Sequence, residues 1–140
     1  VFERVLIGVD GSEESLRAVR VAADLARAVQ SKQLRFVVAY DPIPAYWAVP
    51  NIDHMIEARL AEAEATLKQA LAEAGNVPSE IQTELLEGSP AEAIITLAKT
   101  WNSSLIVMGS RGQSGIAELV LGSTSQKVVS HAPCPVLIVR

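Results

Sequence analysis

Between Leu105 and Ser125 the chain collects residue types that together make a phosphate cradle. The β-branched run Leu105-Ile-Val-Met108 leads into glycines at 109, 112 and 115, and Gly122 opens onto three successive hydroxyls, Ser123, Thr124 and Ser125. Glycine lets the main chain approach a ligand closely. The N–H groups of a turn, and those of a helix's first turn, converge on an anion. The hydroxyls at 123 to 125 fall where a first helical turn belongs, so they can donate to the same oxygens. Arg111 sits between two of the glycines and brings a fixed positive charge; its plainer reading is a solvated side chain. The glycines could equally be ordinary turn residues, but an ordinary loop has no need of so many beside three hydroxyls. Gly115 reads as a hinge or turn residue.

The remaining chemistry-bearing residues are scattered. Asp10, in Asp10-Gly-Ser12, either caps the turn before a helix or presents a carboxylate to hydrogen-bond donors of a ligand. Met108 either lines a ligand slot or belongs to the core, as methionine at a strand end commonly does. His131 and Cys134 could be taken for a Cys–His nucleophile pair, yet a proline separates them and no third, orienting residue is evident. A helix end and a strand start account for both. His54 stands alone and supports no metal site, while Glu57, Glu62 and Glu64 with Arg59 and Lys68 read as a solvated helix face.

The elements that must position these residues follow from the hydrophobic pattern. Val5 to Val9 is a short buried strand. Ser12 is an N-cap with Glu13 and Glu14 in the first turn, and Leu16, Val19, Ala23 and Ala26 give an amphipathic helix over 13 to 30. A strand at 34 to 40 completes a right-handed parallel crossover. The segment from Asp41 to Asn51 holds three prolines in nine positions and predicts an irregular loop; its Tyr46 and Trp47 are either lid aromatics or packing groups. A long helix begins near Asp53 and stops at Gly75-Asn76. Ile81 to Leu86 alternates as an edge strand does. Ser89 and Pro90 start a helix whose buried face is Ile94, Ile95, Ala98 and Trp101. A strand at 105 to 108, a helix over 123 to 131 and a strand from Pro135 to Arg140 close the chain. Five strands alternating with four helices predict one α/β domain over residues 1 to 140, an open parallel sheet with helices on both faces. Ligands of such sheets bind beyond the carboxyl ends of the strands, where the winding reverses.

Composition narrows the classes. The 140-residue chain is 49% hydrophobic and only 4% aromatic, so its core must be aliphatic. A formal charge of −4 disfavours a nucleic-acid binder. No apolar run approaches the roughly 20 residues that span a bilayer, and no leader pattern is present; a cytoplasmic protein is expected. The single cysteine forms no internal disulfide and supplies too few ligands for zinc.

The cradle is neither a P-loop, which needs Lys before Ser/Thr, nor the Gly-x-Gly-x-x-Gly dinucleotide fingerprint. Gly109, Gly112, Gly122 and Ser123, spaced by two and then nine residues, resemble the nucleotide motif of the universal stress protein family. Val5-Leu-Ile-Gly-Val-Asp-Gly-Ser12 and His131-Ala-Pro-Cys-Pro-Val-Leu-Ile-Val139 resemble the family's two ends, so the likeness runs through nearly the whole chain. It implies an adenine-nucleotide α-hydrolase-like, Rossmann-like sheet of order 3-2-1-4-5, which makes strands one and four neighbours at the reversal. It implies ATP as the ligand, with AMP or ADP as variants and Mg2+ or Mn2+ accompanying the nucleotide. Asp10 would meet the adenosine, with Val9 beside it in the binding site, Ala39 would offer backbone groups to the base, and Met108 would line the slot. Gly109, Arg111, Gly112, Gly122, Ser123, Thr124 and Ser125 would hold the phosphates. The function implied is that of a nucleotide-dependent stress-response regulator with at most slow ATP hydrolysis. A homodimer through Val136 to Val139 is physically reasonable, because an apolar edge strand invites self-pairing. Two rivals stay open: an enzyme of a related adenine-nucleotide fold, whose usual His or Ser-Gly-Gly loops are not found here, and an interaction module holding cyclic AMP or no nucleotide.

Overall fold

The structure, a computed structural model, describes residues 1–41, 52–110 and 121–140. Its elements alternate without exception: β1 (Arg4–Gly8), α1 (Glu13–Val29), β2 (Gln33–Tyr40), α2 (Ile52–Ala74), β3 (Glu80–Glu87), α3 (Pro90–Trp101), β4 (Leu105–Gly109), α4 (Ser123–His131) and β5 (Val136–Val139). All strand pairings are parallel, in the order β3-β2-β1-β4-β5. This is the order the family likeness implied.

Strand periodicity splits the core in two. Val5 and Ile7 of β1, with Leu34, Phe36 and Val38 of β2, pack against Ala18, Val19 and Ala22 of α1 and Ala63, Ala70 and Ala74 of α2. On the opposite face Leu6, Val37, Ile106 and Met108 pack against Ile94, Ile95 and Ala98 of α3 and Val128 of α4. Successive side chains of a strand point to opposite faces, so the central strands must be apolar throughout, and β4 is buried at every position. Alanines dominate the helix faces, letting the helices lie close to the sheet.

The edges are less regular. β3 is the edge strand expected, but its apolar set is only partly covered: Leu85 joins the first core while Ile81 is 40% exposed. Its other face carries Gln82 and Glu84, which accept from the Arg35 guanidinium 4.7 Å from the Trp101 ring centroid, and Leu86, which packs against the second core. Trp101 is therefore a cation–π partner as well as a packing group. Among the described residues no helix is long and apolar enough to cross a membrane.

Candidate functional site

The carboxyl ends of β1 and β4 diverge into a crevice at the reversal of winding. Its inner part is a slot of about 70 Å3 between Gly8, Val9, Val37, Ala39, Ile94 and Met108, bordered by Asp10, Ser15, Pro90, Gly109, Thr124 and Ser125. An adjoining cavity of about 580 Å3 shares Asp10, Ala39, Pro90 and Thr124 with the slot and extends to Gly122 and Ser123 on one wall and to Tyr40, Asp41, Arg59, Glu62 and Thr66 on another. The slot is mostly aliphatic; the larger cavity is mostly polar.

Local hydrogen bonds explain how each wall is built. The Ser15 N–H donates to Ser12 Oγ at 3.1 Å, the side-chain cap of α1, and the Ser12 N–H donates to Asp10 Oδ1 at 2.9 Å. Asp10 thus has the turn-capping role foreseen as its plainer reading, while also bordering both cavities. Gly109 is a glycine for a packing reason that local sequence did not reveal. A Cβ there would stand 2.8 Å from Glu14 Cβ, 2.9 Å from the Glu14 carbonyl carbon and 3.0 Å from the Ser15 nitrogen. The first turn of α1 rests directly on the end of β4.

The start of α4 is stitched to β4 through one carbonyl. Ser110 O accepts from the Gly122 N–H at 2.8 Å and from Ser125 Oγ at 2.7 Å, while the Ser110 N–H donates to Val139 O at 2.8 Å. These bonds limit what two of the expected site residues can donate. The Ser125 hydroxyl is buried and engaged within the protein, so it is no spare donor for a ligand, and the Gly122 N–H is likewise committed. Among the described residues, the donors left at this wall are the first-turn N–H groups of α4 and the Ser123 and Thr124 hydroxyls. First-turn N–H groups have no intrahelical acceptor, and the N-cap of this helix, Gly122, has no side chain with which to cap them. α3 likewise starts at Ser89 without a side-chain cap bond, and its Pro90 borders both cavities.

Of the residues singled out from sequence, Val9, Asp10, Ala39, Met108, Gly109, Gly122, Ser123, Thr124 and Ser125 border this crevice. Arg111, Gly112 and Gly115, like Tyr46 and Trp47, lie outside the described residues. Sequence reasoning missed Gly8, Ser15, Val37 and Ile94 in the slot, and Asp41, Arg59, Glu62 and Thr66 in the larger cavity. Arg59, Glu62 and Thr66 recur at helical spacing on α2; in the sequence Arg59 and Glu62 read as part of a solvated helix face, and Thr66 carries no signal. Only the placement of α2 beside the end of β2 shows otherwise. There the Arg59 Nη1 donates to Asp41 O at 2.6 Å.

His131 and Cys134 form no nucleophilic pair. His131 Nδ1 lies 3.0 Å from Lys127 O, and Cys134 packs against the second core, where burial pushes its thiol pKa up, away from reactive thiolate. Among the described residues no group of three or more His, Cys, Asp or Glu could hold a metal ion. What the crevice can do chemically is hold a flat, weakly polar ring in the slot and an anion at the start of α4.

The architecture defines a doubly wound parallel α/β protein with its crevice at the point of reversal. The model of the universal stress protein family matches residues 2–140, and the chain belongs to that family. A universal stress protein of Thermus aquaticus is 44% identical over 140 residues, covering 100% of both chains. Among solved structures, the universal stress protein UspA from Lactobacillus plantarum superposes with a TM-score of 0.86 at 26% identity, covering 99% of this chain and 98% of that one. A universal stress protein solved in complex with cAMP is 36% identical, with a TM-score of 0.66 over 99% of this chain and 96% of that chain.

Proposed function

We propose that this protein is an ATP-binding regulator of the stress-response type, with the base of an adenine nucleotide in the aliphatic slot and its phosphates at the start of α4. The observation that carries the reading is the division of one crevice into an aliphatic slot and an uncapped helix start, joined at Thr124. Uncapped first-turn N–H groups and the positive end of the helix dipole favour phosphate. Asp10 and the main chain at Ala39 stand where they can meet sugar hydroxyls and base N–H groups. The glycine spacing of the family motif supports the same assignment, with Arg111 and Gly112 adding to the phosphate side.

Phosphoryl transfer normally needs a metal-holding carboxylate, a cation on the transferred group and a residue that orients the nucleophile. Carboxylates and one arginine border the crevice, but among the described residues no group of three or more His, Cys, Asp or Glu gathers to hold a metal, and the reading is therefore binding, with turnover at most slow. Oligomeric state belongs to the same reading. β5 is an edge strand whose Leu137 is 37% exposed, and antiparallel pairing of two copies along Val136 to Val139 would satisfy its open backbone edge.

The test is to denature the purified protein, identify any nucleotide released, and titrate ATP, AMP and cyclic AMP by calorimetry. Gly122→Val should weaken ATP binding by about tenfold or more, because a branched side chain intrudes where phosphate approaches α4. Gly122 has φ −63°, which any residue adopts, so the far-UV circular dichroism should be unchanged. ATP affinity equal to wild type in that variant would defeat the assignment. Cyclic AMP is the second reading, favoured by the complex of the 36% identical relative. A cyclic AMP affinity well above that of ATP would establish it.

A further inference from the structure

The larger cavity has a wall that the glycine motif does not supply. Arg59 on α2 is half-buried and its guanidinium is pinned by the bond from Nη1 to the Asp41 carbonyl. It is the one cationic side chain among the described residues that border either cavity. Asp10, Asp41 and Glu62 border the same space, but all three are exposed and their fields are screened by water and salt. The Arg59 guanidinium is held in one place by its bond to Asp41 O, and of its fork of five N–H donors that bond uses only one. The start of α4, at Gly122, Ser123 and Thr124, borders the same cavity. An anionic chain leaving the slot therefore has two positive ends in one space, a helix start and a fixed arginine.

We infer that Arg59 is a specificity-determining residue that engages the distal phosphates of a bound nucleotide, so that the site prefers a nucleoside triphosphate to a monophosphate. The inference rests on the nucleotide reading above and adds to it a residue outside the glycine motif. A triphosphate reaching from α4 towards α2 would give the guanidinium charged oxygens that a monophosphate lacks, and such charge-assisted bonds are the strong ones.

The experiment is calorimetric titration of ATP and AMP against wild type, Arg59→Gln and Arg59→Lys, at two salt concentrations. Wild type should bind ATP more tightly than AMP. Arg59→Gln should weaken ATP by about tenfold and leave AMP within about twofold, with a shallower salt dependence for ATP. Arg59→Lys, which keeps the charge and loses the fork, should fall between the two. Circular dichroism and melting temperature establish that each variant is folded, and Arg59→Lys carries the comparison if Arg59→Gln is not. Equal weakening of ATP and AMP, or no change in either, overturns the inference while leaving the nucleotide reading standing. Failure of wild type to bind any adenine nucleotide overturns the nucleotide reading itself, and this inference with it.

Discussion

Gly109 illustrates how one residue serves two constraints. It lies in the phosphate-type motif, and it also gives α1 room to touch the end of β4. The atoms that a Cβ would meet include backbone of Glu14 and Ser15, which cannot rotate out of the way. At Gly8 the close atom is Ile94 Cδ1, at 2.8 Å, the movable tip of a side chain. Gly109→Ala is therefore expected to destabilise the protein by about 1–3 kcal/mol, the usual cost of overpacking, read as a lower urea midpoint without added nucleotide. A midpoint equal to wild type would mean that Gly109 serves a ligand alone. Ser125 makes the same point in the other direction. A hydroxyl that reads as a phosphate donor is buried and spent on Ser110 O, because the start of α4 has to be fastened to the sheet before it can present its N–H groups.

At the scale of elements, α1 does more than cover the sheet. Its Arg27 donates from Nη2 to Ala74 O at 2.6 Å and from Nε to Asn76 O at 2.9 Å, closing the carboxyl end of α2 with donors it lacks itself. This fixes α2 along α1, and so fixes where Arg59 falls at the other end of that helix. β5 carries the element-level prediction. If two copies pair along it, Leu137→Glu should convert a dimer to a monomer in light scattering, since it puts an unpaired carboxylate into an otherwise apolar seam. The melting temperature of the monomeric variant should drop as the partner's contribution is lost. An unchanged mass would place the interface elsewhere.

For the whole molecule, a ligand that binds the native state stabilises it by an amount that grows with the logarithm of its concentration, about 2.7 kcal/mol at a hundred times Kd. ATP at such excess should raise the melting temperature by several degrees, and Gly122→Val should abolish that rise. An absent shift in wild type would contradict nucleotide binding. The molecule-wide coupling that makes this measurable runs through Ser110, whose carbonyl holds α4 and whose N–H holds Val139 of β5. Anything that grips the start of α4 also steadies the sheet's last strand.

Sequence alone determined the alternation of strands and helices, because strands buried on both faces must be continuously apolar and helices covering them must carry one small-residue face. Helix α4 begins and ends where the pattern of Gly122 and His131 placed it, and β1 to β5 fall within a residue or two of their apolar runs. The family likeness rested on local spacing too, since a turn that approaches an anion needs its glycines at set intervals. Tertiary structure decided the rest. That Arg59 faces a cavity, that Gly109 bears the weight of α1, and that Ser125 points inward all depend on segments distant in the chain meeting at the crevice. A polar stripe on a helix looks the same in sequence whether it meets water or a binding site; only the neighbour brought against it by the fold distinguishes the two.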